Sequence, residues 1–381
     1  MNICIITRID YSNYGNRLQN YALSMLLENE GWNVLSGVKL IAKDTWINSS
    51  KGIKKKIKQT TPFGLFRLWQ IYNQEAIDRL NYEHIKMCNL RRFTQIYIPT
   101  LPPLIVRDAS HLTRTLRKYH FDYYIAGSDQ VWNPYFGGKD YEFLTFATQE
   151  KRLSFAASFG VSEIPDALRE RYRILLNQMK YISVREAKAV DIVQMLTGRN
   201  DVHWTPDPTL LLERSAWDEL AAKATIDKPA HYIATYFLGE IPPAVEMFAK
   251  LKNLPLMKMN CKQQPELNDI GVEDFLSVLR SADYVLTDSF HGMAFSIKFH
   301  REFFVFRRVC KRKDRDMFSR LENTLTLLGL EMRIQEDNAV HDGNRIDPKK
   351  WREIDVYYAD QRQIAMQNLK VAMGIRIKDE D

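Results

Sequence analysis

The sequence predicts an α/β fold of two domains, each built on a parallel β-sheet. Short apolar segments alternate with helical periods along most of the chain, which is typical of parallel sheets covered by helices on both faces. The chain has 381 residues, more than one ordinary core holds and enough for two. Hydrophobic residues make up 45% and charged residues 27%, the balance of a folded globular protein.

The first predicted domain spans residues 1–212 and begins with a short buried strand. Its predicted elements are a strand at 2–6, a helix carrying Leu18, Tyr21, Ala22, Met25 and Leu26 at helical spacing, a basic helical insertion at about 51–90, a helix at 111–119, strands at 123–126 and 152–156, a helix at 166–180, a strand at 181–184 and a helix at 186–196. This alternation favours a parallel sheet over an antiparallel one.

The second predicted domain spans residues 213–381, after a boundary near Asp207 and Pro208. Its predicted elements are strands at 231–237, 256–259, 284–286 and 303–306, helices at 243–252, 272–282 and 290–299, and helices toward the carboxyl end. Two such sheets joined by a short linker place a cleft between the carboxyl ends of their strands.

Composition excludes several classes of protein. No run of about 18 apolar residues is present, and the apolar start is too short for a signal peptide. The scattered cysteines form no CxxC pair, so we expect reduced thiols in a cytoplasmic protein. Net charge is +7, which favours anionic partners; no nucleic-acid-binding motif is found, and nucleic acid is not expected. The histidines show no ligand spacing, so no metal is expected.

The strongest candidate site is the segment 287–292, Thr-Asp-Ser-Phe-His-Gly, between an apolar strand and a helix. Ser289 is a suitable N-cap, and Gly292 would let a ligand approach the first turn. The free N–H groups of a helix start bind phosphate, and His291 could donate to an anion or pass a proton. An ordinary capped helix with a buried histidine is the alternative; we favour the functional interpretation.

Arg185 follows another predicted strand, at a helix start where its charge opposes the helix dipole. A bound phosphate or carboxylate would offset that cost through bidentate hydrogen bonds. The alternative is a salt bridge to Glu186 or to a neighbouring carboxylate, and we favour anion binding.

Two further strand ends carry polar residues. In the segment 13–19, Asn16 could cap a helix, and Arg17 is again a cation at a helix start. In the segment 127–133, Asp129 could orient or deprotonate a hydroxyl, and Trp132 could stack on a sugar. Turn chemistry explains both segments equally well. The absence of a GxGxxG fingerprint argues against a nicotinamide cofactor.

Taken together, these motifs resemble the polysaccharide pyruvyl transferase family from the first strand to about Phe306. The matching motifs are Asn13-Tyr14-Gly15-Asn16, Gly127-Ser128-Asp129-Gln130-Val131-Trp132-Asn133, Ser158-Phe159-Gly160, Ser183-Val184-Arg185-Glu186, Asp207-Pro208-Thr209 and Asp288-Ser289-Phe290-His291-Gly292. The resemblance implies the GT-B arrangement, in which two Rossmann-like domains face each other across a cleft.

The resemblance also implies an activity. It implies transfer of the enolpyruvyl unit of phosphoenolpyruvate to two hydroxyls of a glycan or lipid-linked sugar, forming a ketal and releasing phosphate, in bacterial exopolysaccharide or capsule synthesis. No cofactor is implied. By similarity, the donor-binding residues are Arg185, Ser289, Phe290, His291 and Gly292; His291 is our candidate acid and Asp129 our candidate base or orienting group. The remaining candidates for donor or acceptor contacts are Asn13, Asn16, Arg17, Gln130 and Trp132.

Three alternatives stay open on the sequence alone. The chain could be a GT-B nucleotide-sugar glycosyltransferase or a non-catalytic glycan-binding protein, since a fold does not determine a function. Separately, the lysine-rich segment 51–58 and the apolar residues after it could contact the cytoplasmic face of the inner membrane. A solvated loop leading into a packed helix explains that segment as well, and we favour it.

Overall fold

A computed structural model describes residues 1–9, 11, 13–37, 85–101, 109–261, 264–308, 318–335, 340 and 343–376. The predicted insertion at 51–90 lies outside the described residues up to position 84, and residues 85–97 are helical. Within the described ranges, no helix combines the length and apolar character that a membrane span requires.

The first half of the chain forms a parallel sheet. Its strands are β1 (Asn2–Ile6), β2 (Asn33–Ser36), β3 (Tyr123–Ala126), β4 (Arg152–Ser154), β5 (Ile182–Val184) and β6 (Val202–Trp204). Four of them pair in the order β2-β1-β3-β4, with Ile3 opposite Val34 on one side and Tyr123 on the other. The β5–β6 pair continues this layer, because parallel bridges join Leu153 to Tyr181 and Ala157 to Val184.

Helices cover both faces of this sheet. They are α1 (Tyr14–Glu28), α2 (85–97), α3 (Ala109–Arg117), α4 (Asp166–Asn177), α5 (Ala187–Thr197) and α6 (Pro208–Leu211). The next helix, α7 (Arg214–Ala221), packs on the helix Val272–Ser281 of the second half. Along β1, Ile3 and Ile5 belong to one buried apolar cluster, while Cys4 and Ile6 belong to another. Since side chains of a strand alternate between faces, both faces are buried, which explains the continuous apolar run.

The second half forms a five-stranded parallel sheet in the order β11-β10-β9-β7-β8. Its elements are β7 (Ile233–Tyr236), α8 (Pro243–Lys252), β8 (Leu256–Met259), α9 (Val272–Ser281), β9 (Tyr284–Thr287), α10 (Phe290–Lys298), β10 (Glu302–Phe306), α11 (Ser319–Leu327), β11 (Ile334–Gln335) and α12 (Pro348–Ala372). The predicted α/β class with parallel sheets is confirmed. Strands β2, β6 and β11 were not predicted; β6, for example, is half-buried throughout and has no apolar run.

Contacts at both ends of the chain join the two halves. The ring of Tyr14, at the start of α1, stacks on Phe275 of α9 with centroids 4.4 Å apart. Its hydroxyl donates to the carbonyl oxygen of Ile270 at 2.8 Å. After α12, the carbonyl oxygen of Met373 accepts a 2.7 Å hydrogen bond from the Tyr123 hydroxyl. Helices α1 and α12 therefore pack across the junction, and the cleft lies between connected halves.

Candidate active site

Three of the predicted residues meet where strands of both sheets end. Asp129 follows β3, Arg185 follows β5, and His291 follows β9. The three side chains are close enough to change one another's pKa values. A fourth group, the carboxylate of Asp207, lies between Arg185 and His291.

Arg185 is a buried cation with one donor left over. Its side chain is 3% exposed, and Nη1 donates to Asp207 Oδ2 at 2.5 Å. Burial opposes its charge, but Asp207 and Glu186 outweigh burial and raise the pKa of the guanidinium. Its Nη2 has no hydrogen-bond partner among the described residues. The ion pair that was the alternative to anion binding is therefore present, mainly with Asp207. It still leaves one N–H group of Arg185 for an anion.

Asp207 is a site residue that sequence reasoning assigned only to the linker. It caps α6, with Oδ1 accepting from the backbone N–H of Thr209 at 2.9 Å and from its hydroxyl at 2.7 Å. Its other oxygen holds Arg185 and lies 3.9 Å from His291 Nε2. The Asp-Pro pair signals a helix start, but contact with a residue 22 positions earlier depends on tertiary structure.

His291 lies in the first turn of α10, against the first turn of α1. A Cβ atom placed on Gly15 would overlap the His291 ring, so only glycine fits there. Burial, together with the neighbouring Arg185, lowers the pKa of His291 to about 4, although Asp207 and Asp129 oppose this. The imidazole is therefore neutral at pH 7 in the free protein, and its role as the acid stays a prediction. Nε2 makes no hydrogen bond to the described residues.

Asp129 is a carboxylate with both oxygens engaged. Asn16 Nδ2 donates to Oδ2 at 2.5 Å, and the backbone N–H of Gln130 donates to Oδ1 at 2.8 Å. Burial alone would raise the pKa of Asp129, but Arg185 and these hydrogen bonds lower it. A carboxyl group with a lowered pKa is a weak base, so the geometry suits orientation better than proton abstraction.

The loop at 13–19 differs from its predicted role. Helix α1 begins at Tyr14 and is capped by Asn13, whose side chain accepts from the backbone N–H of Asn16 at 3.4 Å. The prediction that Asn16 is the cap is therefore wrong, and its amide instead holds Asp129. Arg17 is fully buried and donates to Asn16 Oδ1 and to the carbonyl oxygen of Arg8. Its guanidinium stabilises the loop through these hydrogen bonds.

The start of α10 also differs in detail. A Cβ atom on Gly292 would overlap the side chain of Thr287. This glycine thus allows the helix to pack on β9, and the predicted ligand approach is not its role. Ser289 occupies the N-cap position, but its side chain makes no capping hydrogen bond.

Phe290 lies beside two guanidinium groups. The guanidinium carbon of Arg185 is 5.5 Å from the ring centroid, and that of Arg320 is 5.9 Å away. Burial and the charge of Arg185 lower the pKa of Arg320 to about 10. Arg320 belongs to α11, and nothing in its local sequence distinguishes it from other helix arginines, so it was not predicted.

The side chains of Arg185, Phe290 and Arg320 line a cavity of about 340 Å³. Its other walls include the apolar and aromatic residues Trp204, Leu210 and Tyr358, and the acidic residues Glu186 and Asp207, both of which pair with Arg185. A cavity with convergent cations and apolar walls suits a small organic anion.

Two predicted acceptor contacts are internal. Trp132 has no exposed surface, stacks on Phe143 with centroids 5.2 Å apart and donates to the carbonyl oxygen of Glu142 at 3.1 Å. The prediction that it stacks on a sugar is therefore wrong for this structure. Gln130 is also buried, and its Oε1 accepts from Asn133 Nδ2 at 2.9 Å.

In the part of the chain that the structure describes, no three His, Cys, Asp or Glu side chains gather as metal ligands. The expectation that no metal is needed stays a prediction.

Comparison with known proteins gives a family and a fold. A sequence model described as polysaccharide pyruvyl transferase matches residues 13–308. No curated protein matches the sequence. A candidate UDP-N-acetylglucosamine 2-epimerase from Listeria monocytogenes has a similar structure, with a TM-score of 0.50, 10% identity, and coverage of 100% of this chain and 98% of that one. The MnaA–UDP structure from S. aureus gives a TM-score of 0.49, 10% identity, and coverage of 99% and 98%. At such identity the likeness concerns the fold alone, and the fold is GT-B-like.

Proposed function

Because the chain belongs to the polysaccharide pyruvyl transferase family, we propose that it transfers the enolpyruvyl unit of phosphoenolpyruvate to two hydroxyls of a saccharide. The observation that carries this proposal is the cavity between Arg185 and Arg320, beside His291. Phosphoenolpyruvate carries a carboxylate and a phosphate on a small apolar frame, which matches two guanidinium groups separated by an aromatic ring.

The reaction needs one proton at the methylene carbon. In our proposal, one acceptor hydroxyl adds to the central carbon of the donor while the methylene carbon gains a proton, and a second hydroxyl then displaces phosphate. In the net reaction, His291 would give its proton to the new methyl group and take up the proton of the first hydroxyl, and the proton of the second hydroxyl would leave with phosphate. Asp129 would orient the attacking hydroxyl, and no metal or cofactor enters these steps.

His291 would supply that proton only after the donor binds. Its low pKa in the free protein results from burial and from nearby cations. A trianionic donor beside it would raise that pKa, because nearby negative charge favours the imidazolium form. Donor binding would therefore convert a neutral imidazole into an acid, and this supports an ordered reaction in which the donor binds first.

The direct test is phosphate release from phosphoenolpyruvate with a panel of lipid-linked and nucleotide sugars, with mass spectrometry of the product. A ketal product and equimolar phosphate are expected. Transfer of a glycosyl group from a nucleotide sugar would instead establish the glycosyltransferase alternative, which rests on the fold alone.

We also propose a cytoplasmic location and a lipid-linked acceptor. The segment at 51–58 contains five lysines, each worth about 1 kcal/mol near an anionic leaflet. It lies outside the described residues, so membrane contact stays a proposal. Sedimentation with anionic vesicles at low and high salt tests it, and binding that survives replacement of these lysines by glutamine would contradict it.

A further inference from the structure

Tyr135 and Phe136 are an exposed aromatic pair. They are 51% and 47% exposed, and every other Phe, Tyr and Trp side chain in the described ranges is buried or half-buried. A large apolar ring in water is unfavourable for the free protein, and an exposed aromatic pair beside a cleft commonly binds a partner.

The loop that carries the pair is well ordered by hydrogen bonds. Asn133 Oδ1 accepts from the backbone N–H of Tyr135 at 2.9 Å, and the Asn133 carbonyl oxygen accepts from Gly137 at 2.8 Å. The backbone N–H of Gly138 donates to the carbonyl oxygen of Val131 at 2.7 Å. The rings are therefore presented by a fixed loop, which lowers the entropy cost of binding.

A chain of contacts connects Tyr135 and Phe136 to Asp129. Arg8 Nη1 donates to the carbonyl oxygen of Phe136 at 2.7 Å, and its guanidinium carbon lies 4.6 Å from the Phe136 ring centroid. The carbonyl oxygen of Arg8 accepts from Arg17 at 2.8 Å, Arg17 donates to Asn16, and Asn16 donates to Asp129. The pair thus lies at the same sheet edge as the group that would orient the acceptor.

We propose that Tyr135 and Phe136 form a platform on which the saccharide acceptor stacks, an inference that rests on the proposed function. The apolar C–H face of a sugar ring fits an aromatic face, while its hydroxyls stay free for Asp129. Exposed charged residues, Lys139 and Asp140, follow the pair. Two exposed rings beside charged residues suit one or two sugar rings better than a protein, which needs a larger continuous apolar patch.

The test compares two double variants of the full chain with a matched control. Tyr135→Ala/Phe136→Ala removes both rings, and Tyr135→Leu/Phe136→Leu keeps apolar volume without flat rings. The control is Met195→Ala, which truncates an apolar side chain that is 74% exposed near the end of α5. The two readouts are the KM values for phosphoenolpyruvate and for acceptor, and binding to an array of immobilised mono- and oligosaccharides.

For both double variants we expect the acceptor KM to rise about tenfold or more, as for truncated anchor residues. The KM for phosphoenolpyruvate should stay within about twofold of the wild-type value, since neither ring lines the donor cavity. Array binding should be lost in both variants and kept in the control.

Three results would each contradict the proposal that Tyr135 and Phe136 bind the acceptor. They are an unchanged acceptor KM, array binding that survives in the alanine variant, and a wild-type protein that retains no arrayed glycan. The proposed function can fail separately. If phosphoenolpyruvate releases no phosphate, but array binding is still lost in both double variants, the platform holds and the reaction is a different one.

Discussion

Arg185 combines donor binding with stability in a single side chain. Its partner Asp207 has no exposed side-chain surface, and the pair is joined at 2.5 Å. Removing one member of such a pair leaves an uncompensated buried charge, which costs about 3–5 kcal/mol. The side chain that binds the donor in our proposal is thus also part of the fold.

We therefore expect Arg185→Ala to lower both the free energy of unfolding and the affinity for phosphoenolpyruvate. Urea unfolding should show a loss of about 3–5 kcal/mol. The double variant Arg185→Ala/Asp207→Asn should recover part of that stability, because the fully buried carboxylate of Asp207 is removed together with its partner, yet it should stay inactive.

The matched control for this pair is Arg173→Ala. It breaks a surface ion pair to Glu170 on α4 that joins the two side chains at 2.6 Å. Little change in stability is expected there, because solvent screens exposed pairs. Full stability of Arg185→Ala, or full activity of the double variant, would contradict the assignment.

The pKa of His291 makes stability depend on pH. The unfolded histidine titrates near 6.5, and the folded one at about 4. Between these values the unfolded state binds a proton that the folded state does not, so stability falls as the pH drops through this window. Over the whole window the loss is at most about 3 kcal/mol.

His291→Asn should remove this part of the pH dependence and leave stability at pH 7.5 nearly unchanged. Denaturant titrations of both proteins at pH 7.5 and pH 4.5 measure the difference. Equal slopes of stability against pH in the two proteins would mean that His291 is not held neutral by its surroundings.

At the scale of elements, the first turns of α1 and α10 meet at Gly15. The His291 ring occupies the space that a Cβ atom on Gly15 would need. Alanine is otherwise favourable inside a helix, so Gly15→Ala should displace the imidazole without weakening α1.

We expect Gly15→Ala to lower kcat by about 10²-fold, the effect of a displacement near 1 Å at a reacting group. Circular dichroism should stay close to the wild-type spectrum. The control is Gly343→Ala, where an added Cβ atom meets no atom within 4 Å. A normal kcat in Gly15→Ala would mean that catalysis does not depend on the position of the His291 ring.

The sequence predicted elements and strand-end motifs well because both depend on local patterns. Short apolar runs located β3, β5 and β9, and the polar residues after these strands pointed to Asp129, Arg185 and His291. Asp207 and Arg320 were missed because their roles depend on contacts with residues that are distant in the sequence, Arg185 and Phe290. Trp132 was misplaced because Phe143, which covers it, comes from a later segment of the chain.

At the scale of the whole molecule, the candidate active site contains residues that follow strands of both sheets. Asp129, Arg185 and Asp207 follow strands of the first sheet, while His291 follows a strand of the second and Arg320 lies on a helix after it. An anion held between Arg185 and Arg320 would therefore add contacts across the cleft. Such contacts exist only in the folded protein, so the donor should stabilise both halves together.

We expect phosphoenolpyruvate to raise the melting temperature, with a gain of about 2.7 kcal/mol at a concentration 100 times its Kd. Inorganic phosphate and pyruvate, tested separately, should stabilise less, because each offers only one of the two anionic groups. UDP should have no effect, since the cavity suits a small trianion and only the glycosyltransferase alternative requires a nucleotide. Differential scanning fluorimetry measures all four ligands. Arg185→Lys should reduce the phosphoenolpyruvate shift, because the single nitrogen of lysine cannot replace both Nη1, which binds Asp207, and Nη2, which is left for the donor. Stabilisation by UDP without stabilisation by phosphoenolpyruvate would reverse the choice between the two activities.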